Sequence, residues 1–276
     1  MNYSKIVVDE PRPGVRRVTL NRPEKRNPLS NELRAELFHV LETTDLDDSV
    51  RVTIIRGAGP CFSAGYDLNA DNELDQPFYT PPGLGVWPRH VVESCCRMWD
   101  MGKPIIAQVH GYCLAGATEL AAACDLVYVA EDAMIGYPVV RTTTPPDNQF
   151  FPWLMGMRRA MELMLTGDHM SGVEAADGGF ANRAFPAEEL DNAVLDMAER
   201  VAKVPSDVQQ INKRAVHRQM EVMGIRTGIR AGAEIEALGT FTETCQAYVR
   251  SLRQDVNATL SKRDEAFGDY RTRQED

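Results

Sequence analysis

The chain has 276 residues, of which 43% are hydrophobic and 25% charged, and a formal net charge of -10. This is enough chain for one large domain or a domain with an appendage, and the acidic balance excludes the usual nucleic-acid binder. No run approaches the ~18 apolar residues of a membrane span, Met1 to Arg17 has no apolar stretch of a signal peptide, and cysteines 61, 95, 96, 113, 124 and 245 contain no CxxC, so they read as free thiols in a reducing, cytoplasmic compartment. The histidines at 39, 90, 110, 169 and 217 are far apart, and no metal site is expected.

In chain order, Ile6 to Val8 and Val15 to Leu20, split by Pro11, Pro13 and Gly14, predict a hairpin. After the turn Asn21 to Pro28, Ser30 is a natural N-cap, and Leu33, Leu37 and Leu41 mark an amphipathic helix. Val52 to Ile55 reads as a strand, and Cys61 to Leu68 as a turn of small residues. Residues 69–88 lack periodicity, as functional or mobile loops do, and their Phe78, Tyr79 and Trp87 suggest an aromatic wall or an ordinary surface excursion. A helix over Val91 to Met101, a strand at 105–109, a helix from Gly116 and a strand over Leu126 to Ala130 follow. This alternation argues for an α/β layered fold. From Phe151 the pattern is helical: Leu154 to Leu165, Val173 to Gly178, Ala187 to Val204, then two or three helices over 205–270 with Gly224, Gly228 and Gly232 blurring their ends. Thr272 to Asp276 is expected to fray.

The chemistry is concentrated in His110 to Leu126, HGYCLAGATELAAACDL. A turn of small residues that opens a helix points free backbone N–H groups at a ligand oxygen. Glu119 then stands alone on an apolar helix face, where desolvation raises a carboxyl pKa toward neutral pH. Such amides beside a tuned acid suit chemistry at an activated carbonyl.

NRPEKRNPLS at 21–30, FSAGYDL at 62–68, the 110–126 stretch, and MELMLTGDHMSGVEAADGGFANRAFPAEEL at 161–190 together resemble the crotonase, or enoyl-CoA hydratase/isomerase, superfamily. The resemblance spans nearly the whole chain. It implies an α/β fold: a ββα spiral core over residues 1–204 that holds the site, and a C-terminal helical region over 205–276 that makes a homotrimer or a hexamer of paired trimers. It implies an acyl-CoA thioester as substrate, with no cofactor beyond coenzyme A as part of that substrate, no metal, no nucleic acid and no membrane. It assigns the oxyanion-holding amides to Ala64 and Gly116 and the acid–base role to Glu119. It places Tyr66, Asp67, Leu68 and Val139 against the substrate, with the adenine near Ala64 to Leu68, and His90 either beside the acyl pocket or in a structural role. Lys25 and Arg26 read as phosphate contacts or as a solvated basic turn; Lys262 and Arg263 are further basic candidates from a neighbouring subunit.

One departure bears on the reaction. Hydratases of this family carry a second glutamate after a proline; here the residue after Pro138 is Val139, which holds no proton. Asp147 is the leading substitute, or else the cap of a helix starting near Gln149. Arg141 adds a cation that either holds a substrate carboxylate or pairs with Asp147 or Glu119, and Tyr137 reads as packing. The readings are therefore a lyase or isomerase using Glu119, a CoA-thioester or ring-opening C–C hydrolase on the same scaffold, and a silent acyl-CoA-binding protein.

Overall fold

The computed structural model describes residues 3–69 and 76–270. The expected fraying over Thr272 to Asp276 and part of the aperiodic loop, 70–75, lie outside them. The chain runs β1 (Ile6–Arg12), β2 (Val15–Leu20), α1 (Asn31–Asp45), β3 (Val52–Gly57), α2 (Val86–Asp100), β4 (Ile105–Val109), β5 (Tyr112–Leu114), α3 (Gly116–Ala123), β6 (Leu126–Ala130), β7 (Met134–Gly136), α4 (Phe151–Thr166), β8 (His169–Ser171), α5 (Gly172–Gly178), β9 (Arg183–Phe185) and α6 (Leu190–Ala202). It closes with α7 (Ser206–Val222), α8 (Ile225–Gly239), α9 (Glu243–Gln254) and α10 (Val256–Glu265).

Two mixed sheets result. The larger has the order β1-β2-β3-β4-β6-β9, with β1 and β2 antiparallel as the hairpin requires and every later pair parallel. The smaller has the order β5-β7-β8. All five residues of β4 are buried, the expected state for an apolar strand deep in a parallel sheet. Ser30 Oγ accepts from Leu33 N and so starts α1, whose Leu33, Leu37 and Leu41 are buried as their spacing predicts. All eight residues of α3 are buried, its Gly and Ala side chains letting it pack closely against α2. No helix among the described residues is long and apolar enough to cross a membrane.

Two boundaries differ from the sequence reading. Helix α2 begins at Val86 rather than Val91, because Gly85 turns the chain in a left-handed conformation (φ 70°) and Pro88 is tolerated in a first turn. Residues 205–270 form four helices rather than two or three. Gly224 (φ 100°), the Thr242 cap on Cys245 N and the Asp255 cap on Ala258 N make the breaks. Gly228 and Gly232 lie inside α8, where added Cβ atoms would press on Trp153 and Gln149, so they serve close packing.

Candidate active site

The two small-residue turns are tied to each other by backbone. Ser63 N donates to Tyr112 O at 3.0 Å, and Leu114 N donates to Ser63 O at 3.2 Å. The buried side chain of Asn27 fixes the first turn from below, with Nδ2 donating to Ala58 O, Cys61 O and Phe62 O and Oδ1 accepting from Arg22 N. A Cβ on Gly65 would come to 2.8 Å from Leu114 O, so only glycine lets the turns meet. Gly116 is equally constrained: a Cβ there would overlap the Tyr66 ring. Ala115 has φ 51° and ψ -125°, a costly conformation for a residue with a Cβ, and it turns the chain from β5 into α3.

These bonds sort the amides of the first turn. Ala64 N donates to Arg26 O at 2.9 Å, and Gly65 N donates to Ser63 Oγ at 3.1 Å. The N–H groups of Tyr66 and Gly116 have no acceptor among the described residues. The amide expected to be free, that of Ala64, is therefore engaged inside the protein, and its neighbour two residues on is open. The sequence signal was present in Ser63 and Asn27, whose side chains and backbones order the turn.

Glu119 lies one helical turn beyond Gly116 and is 2% exposed. Both its oxygens accept hydrogen bonds: Tyr66 Oη to Oε2 at 2.7 Å, Tyr137 Oη to Oε1 at 3.2 Å, Asn148 Nδ2 to Oε2 at 3.4 Å and Asn148 N to Oε1 at 3.5 Å. Burial pushes its pKa above the ordinary carboxylate range, and the four donors oppose that rise. Tyr137, read as packing, is thus a ligand of the carboxyl. A cavity of about 30 Å³ adjoins the acid, with Arg34, Tyr66, Ser94, Gly116 and Leu120 in its wall.

Asp147 is not a helix cap, since α4 starts at Phe151 without a side-chain cap. It is buried, its Oδ1 has no partner among the described residues, and burial together with the charges of Glu119 and Glu236 drives its pKa well up. Glu236, from α8, was not singled out from sequence. Its Oε1 accepts from Thr144 Oγ1 at 3.0 Å, and burial raises its pKa to about 7. The signal was its place on the buried stripe Ile225, Ile229, Ala233, Glu236, Ala237. Glu119 therefore acts on both Asp147 and Glu236, and Glu236 on Asp147, while no group of three His, Cys, Asp or Glu among the described residues could hold a metal. Arg34 was missed as well, a cation on the apolar stripe of α1 between Leu33 and Leu37.

Other candidates stand elsewhere. Arg141 does not reach Glu119 or Asp147: it bonds Asp168 at 2.9 Å, Asp264 at 3.1 Å and Asp269 at 2.7 Å, because its turn, 138–141, lies under the C-terminal segment. Val139, in the same turn, is partly buried, and its carbonyl accepts from Thr142 N and Thr143 N. Asp67 is paired with Arg22 at 2.7 Å, and Leu68 is half-exposed. Lys25 is exposed, while the Arg26 guanidinium lies 5.3 Å from the Tyr112 ring centroid. Arg263 bonds Asp264. His90 is fully buried, stacked on Phe78 at 4.2 Å with Thr80 Oγ1 2.7 Å from Nδ1, and burial lowers its pKa to about 3, so it stays neutral. Trp87 meets Tyr66 edge to face at 4.9 Å, and Tyr79 points to solvent.

Residues 10–267 match the sequence profile of the enoyl-CoA hydratase/isomerase family. The chain belongs to that family. EchA13 of Mycobacterium tuberculosis, which carries an enoyl-CoA hydratase name, is 34% identical over 240 residues, 80% of this chain and 76% of that protein. The crystal structure of an enoyl-CoA hydratase/isomerase from Xanthobacter autotrophicus Py2 superposes with a TM-score of 0.86 at 33% identity, over 96% of this chain and 99% of that one. A monofunctional enoyl-CoA isomerase of Mycobacterium smegmatis superposes at 0.63 and 27% identity, over 79% and 94%. This member of the family therefore has an α/β crotonase fold and is an enzyme acting on acyl-CoA.

Proposed function

We propose that this enzyme moves a proton at the carbon chain of an acyl-CoA thioester through an enolate, with Glu119 as acid and base and the N–H groups of Tyr66 and Gly116 as the oxyanion holders. The observation that carries the reading is the pairing of two acceptor-free amides with a buried, four-donor carboxyl one helical turn away. The thioester carbonyl oxygen would sit on the two amides. When Glu119 removes a proton beside the carbonyl or from its vinylogous position, the electron pair moves onto that oxygen. Each amide then bonds a full negative charge, and losing one such donor typically costs ~2.7–4 kcal/mol of transition-state stabilisation.

The same carboxyl can return its proton to another carbon, which gives double-bond isomerisation without a second base. Hydration needs a group to hold water, and Val139 supplies none. Asp147, buried, with one oxygen lacking a partner among the described residues and within electrostatic reach of Glu119, supports that second role. Held largely protonated, it would act as a donor, with the unionised form favoured by the two nearby carboxyls. Assembly as a trimer or paired trimers belongs to the same proposal, supported by the exposed Ile235, Leu238 and Phe241 of α8 and the turn after it.

The test is mass spectrometry of crotonyl-CoA and its isomers in D2O, with wild-type protein beside Glu119→Gln. Deuterium entry into the acyl chain, lost in the variant, is expected. Exchange that persists in a folded Glu119→Gln protein would remove Glu119 from the chemistry. A water adduct that vanishes in Asp147→Asn while exchange survives would assign hydration to Asp147.

A further inference from the structure

A buried cation shares this pocket, and proton transfer has no use for it. Arg34 is 5% exposed on the inner face of α1. Its guanidinium is held at two points, Nη1 to Asn31 Oδ1 at 3.1 Å and Nη2 to Ser94 Oγ at 2.8 Å. Its Cζ lies 5.1 Å from the Trp87 ring centroid and 6.0 Å from that of Tyr66. All four partners are neutral. No carboxylate among the described residues lies within ion-pair distance of Arg34, whereas the buried Arg141 and Arg263 each bond one directly. Burial holds its pKa below the ordinary guanidinium value, and Glu119 and Asp147 act on it only at longer range.

A charge taken out of water without a counter-ion is among the least favourable things a fold can contain. A guanidinium has five N–H donors, and those beyond the Asn31 and Ser94 bonds have no acceptor among the described residues. Most of the rest of the wall is apolar, Leu29, Leu37, Phe38, Val91, Met98 and Leu120, with the neutral thiol of Cys95 among them. A purely aliphatic acyl chain that widened this small cavity and ran toward Arg34 would seal it away from both water and any anion. A carboxylate at the far end of the chain would meet the planar fork with two parallel bonds. Arg34 and Glu119 line the same cavity and both neighbour Tyr66, so the two would act on different parts of one short acyl group.

We propose that Arg34 sets the specificity of the pocket by receiving a terminal carboxylate of the acyl group, so that the preferred substrates are short-chain thioesters of dicarboxylic acids. The inference rests on the acyl-CoA reading of the site. A site that leaves a buried donor unpaired with the wrong ligand discriminates far better than one that only loses a methylene contact.

The test uses a matched pair: glutaconyl-CoA and 2-pentenoyl-CoA have the same five-carbon chain and differ in a terminal carboxylate against a methyl. Wild-type enzyme is expected to favour glutaconyl-CoA by about tenfold or more in kcat/KM, the difference lying in KM. Arg34→Met should abolish that preference by losing the carboxylated thioester and gaining the aliphatic one, and Arg34→Lys should keep part of it. Equal handling of the pair by wild type would overturn the proposal. So would an Arg34→Met variant that weakens both alike and displaces both pH profiles together, because Arg34 would then act on Glu119. Should Arg34→Met fail to fold, the wild-type ratio decides alone. Dissociation constants for the same pair on Glu119→Gln protein separate this test from the proposed chemistry. A binding preference without turnover by wild type sinks the proton-transfer reading and leaves Arg34 standing; turnover without preference does the reverse.

Discussion

Among the buried charged groups of the described residues, the clusters around Arg141 and around Glu119 are built differently. Around Arg141 the buried cation is fully paired: one guanidinium, almost wholly buried, bonds Asp168, Asp264 and Asp269, with the Phe267 ring 3.7 Å from Cζ. Around Glu119 the pairing is incomplete. The charge of Glu119 raises the pKa of Asp147 and of Glu236, and that of Glu236 raises Asp147 further; among the described residues two of the three groups' oxygens lack partners and Arg34 has no direct counter-ion. The first cluster pins the C-terminal helix α10 to the core. The second holds its groups in states that a ligand or a proton would relieve. A buried charge that is fully paired reads as structure; one left incomplete in a cavity reads as a site.

Mutation can break this contrast. Glu119→Gln is expected to lower kcat by about 10³-fold, the range of a lost acid–base group, with a melting temperature equal to or above wild type. A large stability loss without a rate loss would make Glu119 a member of the structural class. Arg141→Met is expected to do the opposite. It leaves Asp264 and Asp269 without their shared cation, at a cost of about 3–5 kcal/mol in unfolding free energy, while activity per folded molecule is retained; denaturant melts and active-site titration check both parts.

Glu236 sharpens the contrast through pH. Its folded pKa of about 7 lies above its ordinary value of 4.5. Between those values the native state holds a proton that the unfolded state has released, so stability falls as pH rises through the window and the loss is complete above about 7. Glu236→Gln should remove this slope and gain on the order of 1–3 kcal/mol at pH 8, with little change at pH 4. Parallel stability curves for the two proteins across that range would show that Glu236 does not titrate there.

The smallest effect is expected at Tyr66. Tyr66→Phe keeps the ring against Gly116 and deletes the 2.7 Å bond to Glu119, which favours the ionised carboxyl. The predicted result is a loss of about tenfold in kcat, near 1.4 kcal/mol, and a rise in the pKa governing the acid limb of the rate profile. An unmoved limb would show that the phenol does not tune the acid.

Much of the architecture was legible from the chain alone. The hairpin, the Ser30 cap and the buried run of β4 follow from local preference and from the two periodicities of strand and helix. Glu119 was legible because a lone carboxyl in a helix of Gly, Ala and Leu has no local reason to be there. The resemblance carried the family and the spiral core, and the comparisons agree with it.

Tertiary structure decided what depends on partners far away in sequence. Three successive amides at 64–66 are alike in the sequence; Arg26 O and Ser63 Oγ engage two of them and leave Tyr66 open. Arg34 and Arg141 are the same residue type, yet Arg141 is paired by carboxylates of the returning C-terminal segment, while the hydrogen-bond partners of Arg34 among the described residues are the neutral Asn31 and Ser94. Glu236 reaches the acid cluster only because α8 packs on α2. Local periodicity fixes which face of an element is buried, but the charge state and hydrogen bonds of a buried group are set by whichever distant segments fold against it.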